Sequence, residues 1–211
     1  MFWQIVLGII LFIIAVSIVW RFFSRYFNLP CPAWFYWLVE FDNPFAKANS
    51  TNVVIEQLQI EPGMKVVDAG CGPGRITIPL AKKMKDGTVV AMDIQSGMLE
   101  RVKEKAQVAN INNITTLRAG IGEGKLEHNT YDRAVISSVL GEIPDQKKAL
   151  QELFSALKPG GMLVVTETRF DPHFQKKEHV LNLAKAIGFQ EKSWIGNSLA
   201  YTLQLKKPRN S

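Results

Sequence analysis

Residues 67–74 read VDAGCGPG, and they follow a short run of apolar and β-branched side chains that begins at Met64. Glycine adopts backbone conformations with positive φ that other residues avoid, and it allows a ligand to approach the backbone closely. A helical pattern follows at residues 75–84, so the glycines lie between a strand and a helix. Doubly wound α/β sheets bind their ligands at this place, outside the carboxyl end of the first strand.

The sequence around this loop alternates between strand and helix patterns. Strands are predicted at residues 64–69, 88–93, 114–119, 131–137, 162–167, 189–195 and 198–205, and helices at residues 50–60, 75–84, 145–157 and 173–187, with one more helix after an N-cap at Ser96. This alternation predicts an α/β fold with a mostly parallel sheet that is covered on both faces. The two-residue link Gly196-Asn197 predicts an antiparallel last strand. Pro79 predicts a kink inside the helix at residues 75–84.

The spacing of the glycines distinguishes between cofactors. Nicotinamide- and flavin-binding loops use G-x-G-x-x-G, whereas this chain has G-x-G-x-G with Arg75 at the place of the later glycine. Asp68 lies two residues before the first glycine, and a carboxylate suits a cationic amino group better than a pyrophosphate. Asp93 ends the second strand, where its carboxylate can accept hydrogen bonds from the two hydroxyls of a ribose.

Three motifs resemble those of the class I S-adenosylmethionine-dependent methyltransferases. They are DAGCGPG at residues 68–74, AMDIQSGML at residues 91–99 and YDRAVISSVLGEIPDQKKALQELFSALKPGGMLVVTE at residues 131–167. The last motif resembles the small-molecule branch that includes ubiquinone, menaquinone and arsenite-type enzymes. The resemblance covers residues 50–205 and implies a Rossmann-like, doubly wound sheet of seven strands with an antiparallel last strand. It also implies that the cofactor is S-adenosyl-L-methionine.

The resemblance assigns roles by position. The residues that would hold the methionine part of the cofactor are Asp68, Ala69, Gly70, Cys71, Gly72 and Gly74. Asp93 would hold the ribose, Ile94 would pack on the adenine, and Ser137 would border the methyl group.

The adenine amino group has a less regular site in this chain. The family usually has an acid after the third strand that reaches this group, but Ile121 occupies that place. Backbone groups of Ile121 and Gly122 are one alternative contact. The side chain of Glu123, displaced by two positions, is the other.

Methyl transfer from a sulfonium is an in-line displacement with a neutral leaving group, so the protein mainly supplies alignment and a dry site. An acceptor amine or hydroxyl can also use a base. Glu142, Glu167 and His173 lie near strand ends and are the candidate catalytic residues, although each also has a structural interpretation. No metal site is expected, and two cysteines in 211 residues exclude a Cys-rich zinc domain and a disulfide scaffold.

The first 21 residues predict a transmembrane helix. Residues 2–20 read FWQIVLGIILFIIAVSIVW and contain no charge, and as a helix they span about 28 Å, close to the hydrocarbon thickness of a bilayer. A cleaved signal peptide would begin with basic residues and end at a small-residue cleavage site, which this stretch lacks. Arg21 and Arg25 follow directly, so the positive-inside rule places the rest of the chain on the cytoplasmic side.

Residues 22–49 form an aromatic-rich segment. Of the 21 aromatic residues, 14 lie in the first 45 positions, and the prolines after Phe27 exclude a second spanning helix. Helical spacing at residues 34–41 predicts a short interfacial helix on the cytoplasmic leaflet, and the alternative is a segment that packs over the domain core. Cys31 is either a juxtamembrane acylation site or an unmodified thiol.

The methyltransferase domain is predicted at residues 50–207, followed by a tail at 208–211. The whole net charge of +6 lies after residue 45, which suits attraction to anionic lipid or an ordinary solvated basic surface. Amino-methylating enzymes of DNA and RNA carry an Asp/Asn-Pro-Pro-aromatic motif where residues 137–140 read SSVL, so no nucleic acid partner is expected.

These observations predict a membrane-anchored S-adenosylmethionine-dependent methyltransferase. Its expected acceptor is a hydrophobic or membrane-resident small molecule, such as a lipid or a quinone precursor. A tethered protein or RNA methyltransferase and a non-catalytic cofactor-binding scaffold are the alternatives. The sequence predicts neither the oligomeric state nor the atom that is methylated.

Overall fold

The computed structural model describes residues 2–27 and 40–209. The strands of its sheet are Lys65–Ala69 (β1), Thr88–Asp93 (β2), Ile114–Arg118 (β3), Tyr131–Ser137 (β4), Leu157–Thr168 (β5), Gln190–Gly196 (β6) and Ala200–Lys206 (β7). The α-helices in the described ranges are Phe2–Phe27 (α1), Thr51–Gln57 (α2), Thr77–Lys83 (α3), Ser96–Val108 (α4), Gln146–Ala156 (α5) and Lys177–Ile187 (α6). Short 3-10 turns lie at Lys47–Asn49 and Leu140–Glu142.

The sheet has seven strands in the order β3-β2-β1-β4-β5-β7-β6. Strands β1 to β5 are parallel, and β7 runs antiparallel to both β5 and β6. The chain winds outward from β1 in one direction and from β4 in the other, so a topological switch point lies between these two strands. The predicted seven-stranded Rossmann-like fold with an antiparallel last strand is confirmed.

Helices cover both faces of the sheet. Consecutive strand residues point to opposite faces, so the apolar strands present side chains on both faces that must be buried. Val66 packs with the apolar side chains of α2 and α3, whereas Val67 belongs to the core beneath α5 and α6. The central residues of β1, β2, β4 and β5 are therefore buried and mostly apolar, as expected for strands that are covered on both sides.

Several element boundaries differ from the sequence prediction. Helix α3 begins at Thr77, which places Pro79 in its first turn, where a missing N–H breaks no intrahelical bond. Gln95 is the N-cap of α4, and Ser96 is its first residue. Helix α6 begins at Lys177, so His173 lies in the loop after β5. The link between β6 and β7 has three residues.

Helix α1 is longer than the predicted span, and it continues past both arginines that follow the apolar run. No helix within residues 2–27 and 40–209 combines the length and the hydropathy that crossing a membrane requires. The predicted transmembrane helix is therefore not supported. Near the end of α1, Ser24 is buried, and its Oγ lies 2.7 Å from Nε2 of His173. The end of this helix thus packs on the sheet domain.

The predicted interfacial helix falls mostly on residues 28–39, which lie outside the described residues, as does Cys31.

Candidate active site

The carboxyl ends of β1, β2, β4 and β5 meet at one edge of the sheet. In the register, Asp68 of β1 lies beside Val135 of β4, and Ser137 of β4 lies beside Thr166 of β5. Asp93 ends β2 on the other side of β1. The fold therefore brings the glycine-rich loop, both aspartates, Ser137 and Glu167 to the same edge, as the sequence predicts.

Two glycines in the loop have different reasons to be glycine. Gly70 has a φ of 74°, and a Cβ at this position would lie 2.7 Å from the methyl carbons of Val139, so a larger residue has no room. Gly72 also has a positive φ, of 52°, but no atom lies within 4 Å of a Cβ built on it. The backbone at Gly72 therefore faces open space, into which a ligand can approach closely.

The N–H groups of this loop are used within the protein. Those of Gly70 and Cys71 donate to the carbonyl oxygen of Met92, at 2.8 and 2.9 Å. The N–H of Gly72 donates to Oδ2 of Asp93 at 2.9 Å. These bonds tie the loop to the end of β2 and fix its shape. A cofactor would therefore meet the exposed backbone surface and the carboxylates rather than these three donors.

Cys71 contributes its backbone to the loop and its side chain to the core. The thiol packs with Ala91, Leu99 and Val102. Burial raises the pKa of this thiol well above its usual value, so it remains protonated. The role of the Cys71 side chain is therefore packing.

Asp93 is held in place by two backbone N–H groups. Besides the bond from Gly72, its Oδ1 accepts from the N–H of Gln95 at 2.8 Å. Burial raises the pKa of Asp93, while the backbone hydrogen bonds act in the opposite direction. Each carboxylate oxygen keeps a lone pair, which suits the two hydroxyls of a ribose. The neighbouring Ile94 is 55% exposed, which suits an apolar side chain that a bound adenine would cover. These residues fit S-adenosylmethionine.

Asp68 lies deeper than the loop. It is only 1% exposed, and the hydroxyl of Thr77 donates to its Oδ2 at 2.6 Å. Burial raises the pKa of Asp68 to about 6, although Thr77 and Arg75 both lower it. This carboxyl group therefore changes its charge close to neutral pH.

The predicted adenine contacts are partly corrected by the structure. The N–H of Gly122 donates to the carboxylate of Glu152, which also accepts from the N–H groups of Lys125 and Leu126. The N–H of Gly122 is therefore not available to an adenine ring, because it holds the loop after β3 to Glu152 of α5. Ile121 is partly buried against the core. The other backbone groups of Ile121 and Gly122 and the exposed side chain of Glu123 stay the alternative contacts for the adenine.

Arg75 is a residue of this site that the sequence analysis did not assign. Its guanidinium donates to Asp42 and to the carbonyl oxygen of Asn49, at 2.8 and 2.9 Å, and to the hydroxyl of Ser137 at 2.7 Å. It therefore joins residues before α2 to the end of β4. Lys105 makes a parallel link, because it pairs with Glu40 and donates to the carbonyl of Pro73 at 2.8 Å. Residues 40–49 are thus fastened to the glycine-rich loop.

A buried polar network continues from Asn49 into the sheet. The side-chain amide of Asn49 donates to the hydroxyls of Thr166, at 3.0 Å, and Ser138, at 3.4 Å. The hydroxyl of Thr202 donates to Thr166 at 2.8 Å. Thr166 and Thr202 are polar residues at fully buried positions of β5 and β7. Polar residues beside apolar ones in these strands are the signal in the sequence that could have revealed the network.

Glu167 lies on the opposite face of β5 from Thr166. It is 1% exposed, and its Oε2 accepts from the N–H of Gln175 at 3.2 Å. Its Oε1 is buried and has no hydrogen-bond partner among the described residues. Burial, reinforced by the nearby carboxylates of Asp171 and Glu142, raises the pKa of Glu167 well above its usual value. A buried oxygen without a partner is costly, so it is a feature that function can explain.

The other two candidate catalytic residues have different surroundings. Glu142 ends a 3-10 turn close enough to Glu167 to raise its pKa. His173 is buried, with its ring beside Ser24 of α1 and its N–H bonded to Asp171 at 2.6 Å. This position makes His173 a contact between α1 and the domain.

The fold and this edge define the class of the protein. An open sheet with its glycine-rich loop at the switch point and an acid at the end of β2 is the arrangement of class I S-adenosylmethionine-dependent methyltransferases. A family model described as a methyltransferase domain matches residues 60–206, and the chain belongs to this family.

Curated relatives and solved structures agree with this class. The chain is similar to the demethylmenaquinone methyltransferase of Staphylococcus aureus (strain MRSA252), with 37% identity over 54% of this chain and 47% of the relative. It is also similar to the demethylmenaquinone methyltransferase of Desulfitobacterium hafniense (strain Y51), with 28% identity over 70% of this chain and 59% of the relative. The matches thus span about half of the length of these relatives. A SAM-dependent methyltransferase from Aquifex aeolicus has the same fold, with a TM-score of 0.74 and 19% identity over 84% of this chain and 99% of its own.

Proposed function

We propose that this protein transfers a methyl group from S-adenosylmethionine to a hydrophobic small molecule, in particular a quinone precursor with an ionisable ring hydroxyl. The observation that carries the proposal is the orphaned, buried Oε1 of Glu167 at the edge that holds the cofactor loop. The name of the two curated relatives supports a quinone precursor as the acceptor.

The bound cofactor supplies an electrophilic methyl group on a sulfonium, whose displacement releases a neutral thioether. In the proposal, Asp93 orients the ribose and Asp68 attracts the amino group. Arg75 holds Ser137 at the end of β4, beside the position of the methyl group. Glu167 takes the proton that the acceptor loses as its carbon or heteroatom bonds to the methyl group. Its raised pKa makes the ionised carboxylate a stronger base than an ordinary glutamate.

The acceptor class can be tested by following the label from methyl-labelled S-adenosylmethionine. The full chain is incubated with membranes from its own source, which are then separated into lipid, protein and RNA fractions. We expect the label in the quinone part of the lipid extract. Label that appears only in protein or RNA would contradict the proposed acceptor class. Binding of the cofactor without any label transfer would contradict the proposed methyltransferase activity.

We also propose that α1 attaches the domain to the cytoplasmic face of a membrane. Arg21 and Arg25 give the orientation, because basic residues favour that face. Many large apolar side chains of this helix are exposed, and extended apolar surface marks a site of contact with lipid or protein. These side chains are Trp3, Ile5, Leu7, Ile9, Leu11, Phe12, Val16, Ile18 and Val19.

The paired substitution Ile5→Glu and Phe12→Glu should weaken sedimentation with phosphatidylglycerol-containing vesicles by about 100-fold or more. The reason is that burying two large apolar side chains is worth about 3–6 kcal/mol. Val108→Glu is the matched control, because Val108 is an exposed apolar residue on a different helix, α4. Equal sedimentation of both variants and the unmodified protein would contradict membrane attachment through α1.

Affinity for S-adenosylmethionine should fall as the pH decreases from 7 to 5. Asp68 has a pKa of about 6, so this change protonates the carboxylate that attracts the amino group of the cofactor. Calorimetric titration across this range measures the effect. Asp68→Asn should bind more weakly and without this pH dependence, since its amide does not ionise. A variant that keeps the full slope would show that another group is responsible.

A further inference from the structure

A cavity of about 180 Å³ lies at the end of the sheet opposite to the cofactor loop. It opens where β4 and β5 begin and β7 ends, beside β6. Its lining is strongly basic and consists of Arg133, Gly160, Met162, Lys192, Lys206 and Arg209. Four cationic residues thus line one small space that the proposed methyl transfer does not use, and the ammonium of Lys192 also donates to Oε1 of Gln59.

No carboxylate in the described ranges forms an ion pair with any of these four side chains. Arg133 is instead fixed by carbonyl oxygens, since it donates to Leu58 at 2.7 Å, Gln59 at 3.1 Å and Asp132 at 2.9 Å. Carbonyl partners orient a guanidinium without cancelling its charge. Two of its five N–H donors stay available after these three bonds.

The acidic side chains around the cavity partly pair with other groups. The carboxylate of Asp132 binds the ammonium of Lys158 at 2.8 and 2.9 Å and the N–H of Lys65 at 2.9 Å. Glu191 lies 3.8 Å from Lys185. Glu61 is close enough to Arg133 to favour its charged form. These acids do not line the cavity, so the charge that faces its interior is positive.

We propose that this cavity binds a small phosphate-bearing anion. A space of about 180 Å³ is smaller than the typical 300–1,000 Å³ of pockets for drug-sized ligands, and it suits a phosphate or diphosphate group. Arginine forks and lysine ammonium groups are the side chains that bind phosphate oxygens with charge-assisted hydrogen bonds. The basic lining therefore matches both the size and the charge of such a ligand.

The position of the cavity favours an anion in solution over a lipid headgroup. Ser24 of α1 contacts His173, just beyond the carboxyl end of β5, whereas the cavity lies at the amino ends of β4 and β5. A membrane that meets the domain beside α1 would lie at the opposite edge of the sheet. We therefore assign the site to the free diphosphate or a similar soluble anion.

The test is calorimetric titration of the full chain with inorganic pyrophosphate at physiological salt, where long-range attraction is screened. The paired substitution Lys192→Gln and Arg209→Gln should weaken binding by about tenfold or more, because two charge-assisted contacts are removed. The pair Lys82→Gln and Lys83→Gln removes the same charge from the exposed surface of α3 and should leave binding unchanged.

Several results would overturn the proposal. Equal weakening in both paired variants would show diffuse attraction rather than a site, and the absence of pyrophosphate binding by the unmodified protein would exclude a soluble diphosphate. Binding to phosphatidylglycerol vesicles alone, lost with Lys192→Gln and Arg209→Gln, would assign the cavity to a headgroup. Unchanged S-adenosylmethionine affinity in both variants checks that they are folded, and it keeps this test separate from the proposed methyl transfer.

Discussion

Replacing Glu167 by glutamine should lower kcat for methyl transfer by about 10²–10⁴-fold, the usual contribution of a general base. The carboxylate would no longer take the acceptor proton. The KM for S-adenosylmethionine should not change, because Glu167 lies on β5 and the cofactor loop follows β1. A demethylated menaquinone with a short side chain is the acceptor to use, and transfer of labelled methyl groups gives the rate.

The glutamine variant is expected to fold, because burial already favours the neutral form of Glu167 and glutamine has the same shape. The pH dependence gives a second readout. In the unmodified protein kcat should rise with pH as Glu167 ionises, and this rise should disappear in Glu167→Gln. Tyr201→Phe is the matched control, since it removes the hydroxyl that donates to Gln175 at 2.9 Å and keeps the carboxyl group. A normal kcat in Glu167→Gln would show that the carboxyl group is only structural.

The parts of the site that depend on residues adjacent in the sequence could be predicted from the sequence. The glycine pattern allowed the positive φ that the structure shows at Gly70 and Gly72, because only glycine adopts it without local steric strain. The position of Asp93 followed from the end of a short apolar strand. The strand order then brought both features to one edge, as the family resemblance implied.

Contacts between distant parts of the chain could not be predicted in this way. Arg75 reaches Asp42 and Ser137, which are 33 and 62 positions away, and Ser24 meets His173 across 149 positions. Neither hydropathy nor periodicity encodes which polar groups meet across such separations. The bond from Gly122 to Glu152 was missed for the same reason, because helix α5 had to be placed first.

Asp93→Ala should weaken the binding of S-adenosylmethionine by about 100-fold or more. The loss of two charge-assisted hydrogen bonds to the ribose costs about 3–6 kcal/mol. The substitution also releases the N–H groups of Gly72 and Gln95, so the glycine-rich loop loses its link to the end of β2. Calorimetric titration with the cofactor measures the affinity, and urea unfolding measures the accompanying loss of stability.

Asp132→Ala separates these two effects. Asp132 is also a partly buried carboxylate that accepts a backbone N–H, from Lys65 at 2.9 Å, but it lies near the start of β4 at the opposite edge of the sheet. Both substitutions should lower the free energy of unfolding, because each leaves a backbone N–H without its acceptor. Only Asp93→Ala should lower cofactor affinity. If Asp132→Ala weakened binding equally, the effect of Asp93 would be one of general stability, and the ribose site would lie elsewhere.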